Sequence, residues 1–314
     1  MGVLIDFPLE RVETGCTRDS QAKCNAHHHQ ANPLSSDYLP MSARFFSVYV
    51  RAQQKKVPGF LKSALATSEP ALTKPEVISR PFGFDEQIQL SQRKTSIRDM
   101  FSEEAKERRQ RQLDYDLKHS SFYEFKSFNN TKGKIFQPPA SYFKKEKSKF
   151  FPDLMAKTLS NNTHRLSDIL KDRVTILRIF STISGEKCAN TYVEKYLTEE
   201  GYEEFCEKYP RAQIVDLNIP QTWAKGLFAG ISKGNLRRKV NPARHDSYFL
   251  IPHGLLDLDA KTILKCGNTC AGYLYVLDSE GHIRWATSGN ADEKELEVLW
   301  KSVRGISREL STAE

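Results

Sequence analysis

The sequence predicts an α/β fold in which a sheet is interleaved with helices, and three stretches carry that expectation. The first is 271–289, AGYLYVLDSEGHIRWATSG. Its apolar runs 273–277 and 283–286 suit pleated strands, and the Asp-x-x-Gly segment between them reverses the chain, so a β-hairpin is expected. The second is 174–180, VTILRIF, an apolar and β-branched run short enough to be a buried strand. The third follows the hairpin, where Leu296, Leu299 and Trp300 recur at helical spacing between charged residues.

Taken in order, residues 1–40 have mixed charge, Cys16, Cys24 and the run His27-His28-His29, without helical or strand period. Residues 41–68 hold Arg44, Arg51, Lys55, Lys56 and Lys62 and no acid, with Phe45 and Val48 near one helix face. That composition matches a mitochondrial transit peptide, which works from the N-terminus. Met41 is therefore expected to be the natural start, residues 1–40 an upstream extension, and processing is expected between Lys62 and Glu69. The alternative is a genuine tail ahead of a basic amphipathic patch.

Residues 69–140 read as a linker and a charged helix. The stretch 69–81 is rich in Pro, Ser and Thr, 98–119 is a charge-laced helix with a thin apolar stripe, and Pro138-Pro139 keep 133–140 extended. Residues 141–165 form an aromatic and basic lead-in, with Tyr142, Phe143, Phe150 and Phe151 around the lysines of 144–149.

A regular domain then spans 166–308. It opens with the strand 174–180 and a helix presenting Ala189, Tyr192, Val193 and Tyr196. A second strand, 213–217, lies between Pro210 and Pro220. The segment 222–233 is amphipathic, with Trp223, Leu227, Phe228 and Ile231 on one side and Lys233, Arg237, Arg238 and Lys239 behind. A strand at 248–251 and a short helix at 258–264 precede the hairpin and the closing helix.

Composition narrows the functional classes. At 314 residues, 39% hydrophobic and 27% charged, the chain can bury a substantial core. It has no run of about 18 apolar residues, so membrane attachment is expected to be peripheral. The net charge of +8 is concentrated in one N-terminal arm rather than on a folded face, which argues against nucleic acid as the partner. Six cysteines scattered along the chain do not make a disulfide scaffold.

Strand, crossover helix, parallel strand, hairpin and closing helix resemble a thioredoxin-like domain. Redox members of that fold place Cys-x-x-Cys where the first central strand meets its helix, so that the helix N-terminus stabilises a thiolate. Here that junction is Thr182-Ile183-Ser184-Gly185-Glu186-Lys187-Cys188, and Cys188 stands without a partner at 185 or 191. The proline that normally faces the redox pair maps to about Gly272. A dithiol cycle at this junction is excluded, and a one-cysteine peroxidase or thiol oxidoreductase using Cys188 is the enzymatic alternative.

Cys266 and Cys270 are close enough in sequence for a disulfide or to stand as two unrelated thiols. His245 and His253 are their nearest candidate co-ligands for zinc, without a zinc-like spacing. No phosphate loop or nucleophile elbow occurs, and Asp257, Asp259, Glu199 and Glu200 read as solvated. No catalytic, cofactor or metal residues are assigned. Function is expected at a surface: Trp223, Leu227, Phe228 and Ile231 with Arg237 and Arg238 could meet an anionic membrane or an apolar partner helix, or simply cover the sheet.

Three phrases carry a more specific resemblance: Ser141-Tyr142-Phe143 with Phe150-Phe151-Pro152-Asp153-Leu154; 174–181 with Ser184-Gly185-Glu186; and Gly272-Tyr273-Leu274-Tyr275-Val276-Leu277-Asp278 with Ile283-Arg284-Trp285-Ala286-Thr287-Ser288-Gly289. Together they resemble the ATP ten family, fungal mitochondrial assembly factors of the F-type ATP synthase. The resemblance covers roughly 121–306 and is most specific at Arg284-Trp285-Ala286-x-Ser288-Gly289, so Arg284 and Trp285 join the candidate partner-binding residues.

What the resemblance implies is a non-enzymatic, chaperone-like role. The protein would sit peripherally on the matrix side of the inner membrane, hold newly made subunit a and promote its joining to the subunit c ring.

Overall fold

The computed structural model describes residues 69–90, 102–119, 121–220 and 233–313, all within one unit, Gly59–Glu314. Residues 1–40, the transit-like segment 41–68 and the cysteine and histidine cluster of 16–29 lie outside the described residues. The strands are β1 (Glu76–Val77), β2 (Gln89–Leu90), β3 (Phe136–Gln137), β4 (Asp153–Thr158), β5 (Thr163–Arg165), β6 (Val174–Phe180), β7 (Ala212–Asn218), β8 (Tyr248–Leu250), β9 (Tyr273–Leu277) and β10 (Ile283–Ser288). The helices are α1 (Glu103–Lys118), α2 (Ser121–Asn130), α3 (Leu166–Leu170), α4 (Ile183–Asn190), α5 (Glu199–Lys208), α6 (Leu258–Ile263) and α7 (Glu293–Ala313); residues 233–239 are also helical.

The main sheet has the order β10-β9-β6-β7-β8-β4-β2, with β5 paired to β4. β6, β7 and β8 run parallel, β9 is antiparallel to β6, and β10 closes the hairpin. Parallel strands joined through α4 and α5, then an antiparallel hairpin and a closing helix, make the core thioredoxin-like, as the sequence predicts. β6 is buried at every residue because both sheet faces are covered. Its alternation sends Val174 and Ile176 toward Leu274, Val276, Trp285 and the α7 residues Leu299, Val303 and Ile306. Leu177 and Ile179 face the other way, toward Val215, Leu217, Tyr273 and Tyr275. A one-residue slip would exchange these two cores, so the register is strongly specified.

Three expectations change. The stretch 69–81, read as a linker, contributes Ile78 to the core, and Phe82, Phe136 and Phe151 join it against Tyr273 and Tyr275. The lead-in 141–165 contains β4 and β5, which extend the sheet beyond β8. The face Ala189, Tyr192, Val193 and Tyr196 is buried as expected, but α4 stops at Asn190 and a 3-10 turn, Glu194–Tyr196, carries the rest.

The outer edge of β10 would offer unpaired backbone groups. It is instead covered by the preceding chain. Phe143 N–H donates to Arg284 O at 2.7 Å, Ile283 N–H donates to Lys149 O at 2.8 Å, and Phe136 N–H donates to Ser288 Oγ at 2.8 Å.

Candidate functional site

The junction of β6 and α4 is where a redox member of this fold would work. Thr182 caps α4: its Oγ1 accepts from Gly185 N–H at 3.2 Å and donates to Thr269 O at 3.0 Å. Ser184 Oγ donates to Cys270 O at 2.9 Å, so the first turn of α4 is fastened to the loop before β9. Behind this fastening the two backbones touch. A Cβ on Gly272 would lie 2.0 Å from Gly185 O, and one on Gly185 would lie 2.5 Å from Ala271 O. Gly272 thus faces the α4 junction as the sequence predicts, but no gap separates the two segments.

Cys188 sits in the second turn of α4, past the N-terminal end whose dipole favours a thiolate. It is 4% exposed. Burial pushes its thiol pKa up, against the weaker opposing pull of the Gly272 N–H and the charge of Lys134. Cys266 is buried and its thiol is pushed up to about 11 by that burial, while Cys270 is half-buried. Cys188, Cys206 and Cys266 are free thiols. A shielded, protonated thiol is a poor nucleophile, so the geometry here favours packing over thiol chemistry.

Trp223, Leu227, Phe228 and Ile231 lie outside the described residues. Arg237 is half-buried and its Nε donates to Leu159 O; Lys233 Nζ donates to Thr158 O at 3.0 Å, so both grip the loop after β4. Arg238 is exposed.

Arg284 and Trp285 are corrected outright, being 1% and 0% exposed. The Trp285 indole donates to Pro139 O at 3.1 Å. Arg284 Nε donates to Phe143 O at 2.8 Å, its terminal nitrogens meet Asp278 at 3.3 Å and Glu309 at 2.8 Å, and its guanidinium lies over the Tyr142 ring. The hairpin phrase therefore clamps the lead-in and α7 to the sheet and is not available to a partner.

Two features escaped the sequence reading. Arg178 on β6, Asp216 on β7 and Arg244 in the 3-10 turn Pro242–Ser247 form a buried charge cluster, with Arg178 Nε 3.3 Å from Asp216 Oδ1 and Arg244 paired to Oδ2. Direct register pairing of Arg178 with Asp216 makes it possible, a relation invisible without the strand alignment. An open cavity of about 720 Å³ is lined by Tyr115, His119, Glu124, His253, Lys261 and Thr269.

In that cavity, burial raises the Glu124 carboxyl, against hydrogen bonds from the Thr269 hydroxyl and N–H. Tyr115 is pushed up to about 12, chiefly by burial and then by the charge of Glu124. Spacing of Tyr115 in the last turn of α1 and His119 at its C-cap, one turn apart, was the available signal. Asp257, read as solvated, caps α6 by accepting from Ala260 N–H at 2.9 Å. His245 bonds to Arg237 O and Val240 O, and among the described residues no group of His, Cys, Asp and Glu is arranged to hold a metal ion.

The family model described as ATP10 protein matches residues 62–306. The chain belongs to the ATP10 protein family. A mitochondrial ATPase complex subunit ATP10 of Eremothecium gossypii is 35% identical over 215 residues, covering 68% of this chain and 78% of that relative. The Saccharomyces cerevisiae protein of the same name is 29% identical over 260 residues, covering 79% of this chain and 92% of its own. A crystal structure of a DsbF homologue from Corynebacterium diphtheriae covers 52% of this chain and 90% of its own at 12% identity, with a TM-score of 0.35. The thioredoxin-like assignment rests on strand order and direction. The family phrases 271–289 and 141–154 are the ones the structure joins, through Arg284 and Trp285.

Proposed function

We propose that this member of the ATP10 protein family is a non-enzymatic assembly factor of the mitochondrial F-type ATP synthase. It acts on the membrane sector, holds newly made subunit a and aids its association with the subunit c ring. The observation that carries the reading is family membership, with relatives that bear the name of a mitochondrial ATPase complex subunit. The closed junction supports it: Gly185 against Gly272 leaves no cleft for a substrate thiol, and Cys188 lies covered behind them. Among the described residues no helix is long and apolar enough to cross a membrane, which agrees with a peripheral place on the matrix side of the inner membrane.

Deleting the gene should leave the soluble ATPase sector assembled but uncoupled from its proton channel. Oligomycin-sensitive ATPase at the parental level in the deletant would refute the proposal. Capture of labelled subunit a on the tagged protein during organellar translation tests the partner, and its absence would remove that part. The thiol oxidoreductase alternative is separated by Cys188→Ser, which complements fully if the protein works by holding.

A further inference from the structure

The sheet offers a second surface, far from the closed junction along the strand order. In β4, Leu154 and Ala156 point into the core while Met155 and Lys157 point out, by the two-residue alternation of a strand. Register pairing sets Arg165 of β5 opposite Met155, and Thr163 opposite Lys157. Cross-strand partners share a face, so Met155, Lys157, Thr163 and Arg165 form one exposed patch, with Met155 48% exposed.

Lys233 and Arg237 reach the same corner, because both donate to the loop that continues β4: Lys233 Nζ to Thr158 O and Asn161, Arg237 Nε to Leu159 O. The charges of Arg237 and Lys157 both act on the Lys233 ammonium. Among the described residues, two acids are paired at this face. Asp153 is buried and 3.8 Å from Arg165, and Asp246 is held by Ser160 and Asn162 and lies 3.5 Å from His164. The balance is cationic, with an apolar thioether at its centre.

We propose that this face docks the protein on an anionic phospholipid surface, Lys157, Arg165, Lys233 and Arg237 meeting lipid phosphates while Met155 enters the headgroup layer. Charge complementarity selects that occupant: exposed Lys157 and Arg165 on one strand face, with Lys233 and Arg237 held at its corner, suit a diffuse plane of negative charge. The inference rests on the membrane-sector reading above and names the surface that would hold the protein there.

The test is co-sedimentation of the purified full chain with phosphatidylcholine vesicles with and without cardiolipin, across a salt series. Binding is expected only with cardiolipin and should fall as salt rises. Each surface cation is worth about fivefold in affinity, so Lys157→Gln with Arg165→Gln should weaken binding roughly 25-fold. Met155→Glu should weaken it as well. Lys106→Gln with Arg109→Gln on α1 removes the same charge elsewhere and should leave binding unchanged, which separates this face from net charge and from the basic segment 41–68.

Equal binding by wild type and the Lys157/Arg165 variant, equal loss in the α1 control, binding without cardiolipin, or retention on a single-stranded oligonucleotide as tight as on vesicles would each overturn the proposal. Complementation of the gene deletion by wild type reports assembly independently, so a failure here is distinguishable from a failure of the functional reading.

Discussion

Gly272→Ala is the sharpest probe of the closed junction. The added Cβ would stand 2.0 Å from Gly185 O and 2.9 Å from Ala189 N, both backbone atoms that cannot rotate away. An ordinary contact begins at 3.4 Å, so the first turn of α4 must retreat by more than an ångström. That turn is fastened through Thr182 and Ser184 to residues 269 and 270, and retreat strains those bonds too. Overpacking of this kind costs about 1–3 kcal/mol, and a backbone obstacle places it at the upper end. For a unit of this size each kcal/mol lowers the midpoint by about 2–4 °C, so a fall of roughly 6–12 °C is expected in a thermal melt followed by circular dichroism.

Gly185→Ala meets Ala271 O across the same interface, and the two changes together should cost less than their sum. Gly234→Ala, with nothing within 4 Å of its added Cβ, is the control and should melt at or slightly above the parent. A Gly272→Ala protein that melts with the parent would refute the closed junction and reopen the thiol reading.

Other outcomes follow from the same contacts. Lys134→Met strands Glu295, which is buried and shares its carboxylate with the Tyr192 hydroxyl, and should lower stability in a urea titration by about 3–5 kcal/mol. Iodoacetamide on the native chain should label exposed Cys206 well before Cys188 or Cys266, and peptide mass spectrometry reads the order.

Asp278 gives a pH signature. Burial pushes its carboxyl up, but the His282 hydrogen bond and the charges of His282 and Arg284 outweigh that and hold it below the ordinary range. Its stabilisation is then complete above about pH 4 and is lost as pH falls through the lowered pKa, so Asp278→Asn should flatten the acid limb of a stability profile.

The strands β6 and β9 were legible to the residue because a strand buried on both faces writes a continuous apolar run. β4 was not, since DLMAKT exposes Met155 and Lys157 and its inward pair is only Leu154 and Ala156. β1, β2 and β3 have two residues each and no period at all; they exist because the core and the β10 edge hold them. The helix face around Tyr192 and Tyr196 was legible as burial but not as helix, because a helix followed by a 3-10 turn keeps nearly the same spacing.

Arg284 and Trp285 misled for a different reason. Residues typical of binding hot spots are equally suited to a clamp. What makes them internal is contact with Pro139, Phe143 and Glu309, none of them near in sequence.

That clamp bears on where the folding unit begins. A sequence-based boundary at residue 166 would discard Ile78, Phe82, Phe136 and Phe151, all buried in the core beside Tyr273 and Tyr275. Each is worth about 1.5–3 kcal/mol of burial, so together they approach or exceed the roughly 5–15 kcal/mol by which a domain is stable. The same cut strips the cover from β10, leaving Arg284 without Phe143 O and the Trp285 indole without Pro139 O.

A fragment of residues 166–314 should therefore be soluble only with difficulty and melt without cooperativity, whereas 69–314 should show a single sharp transition. If the shorter fragment melts as sharply and at the same temperature as the longer one, the N-terminal segments are ornaments on a self-sufficient core. The burial and edge contacts assigned to them would then carry no stability.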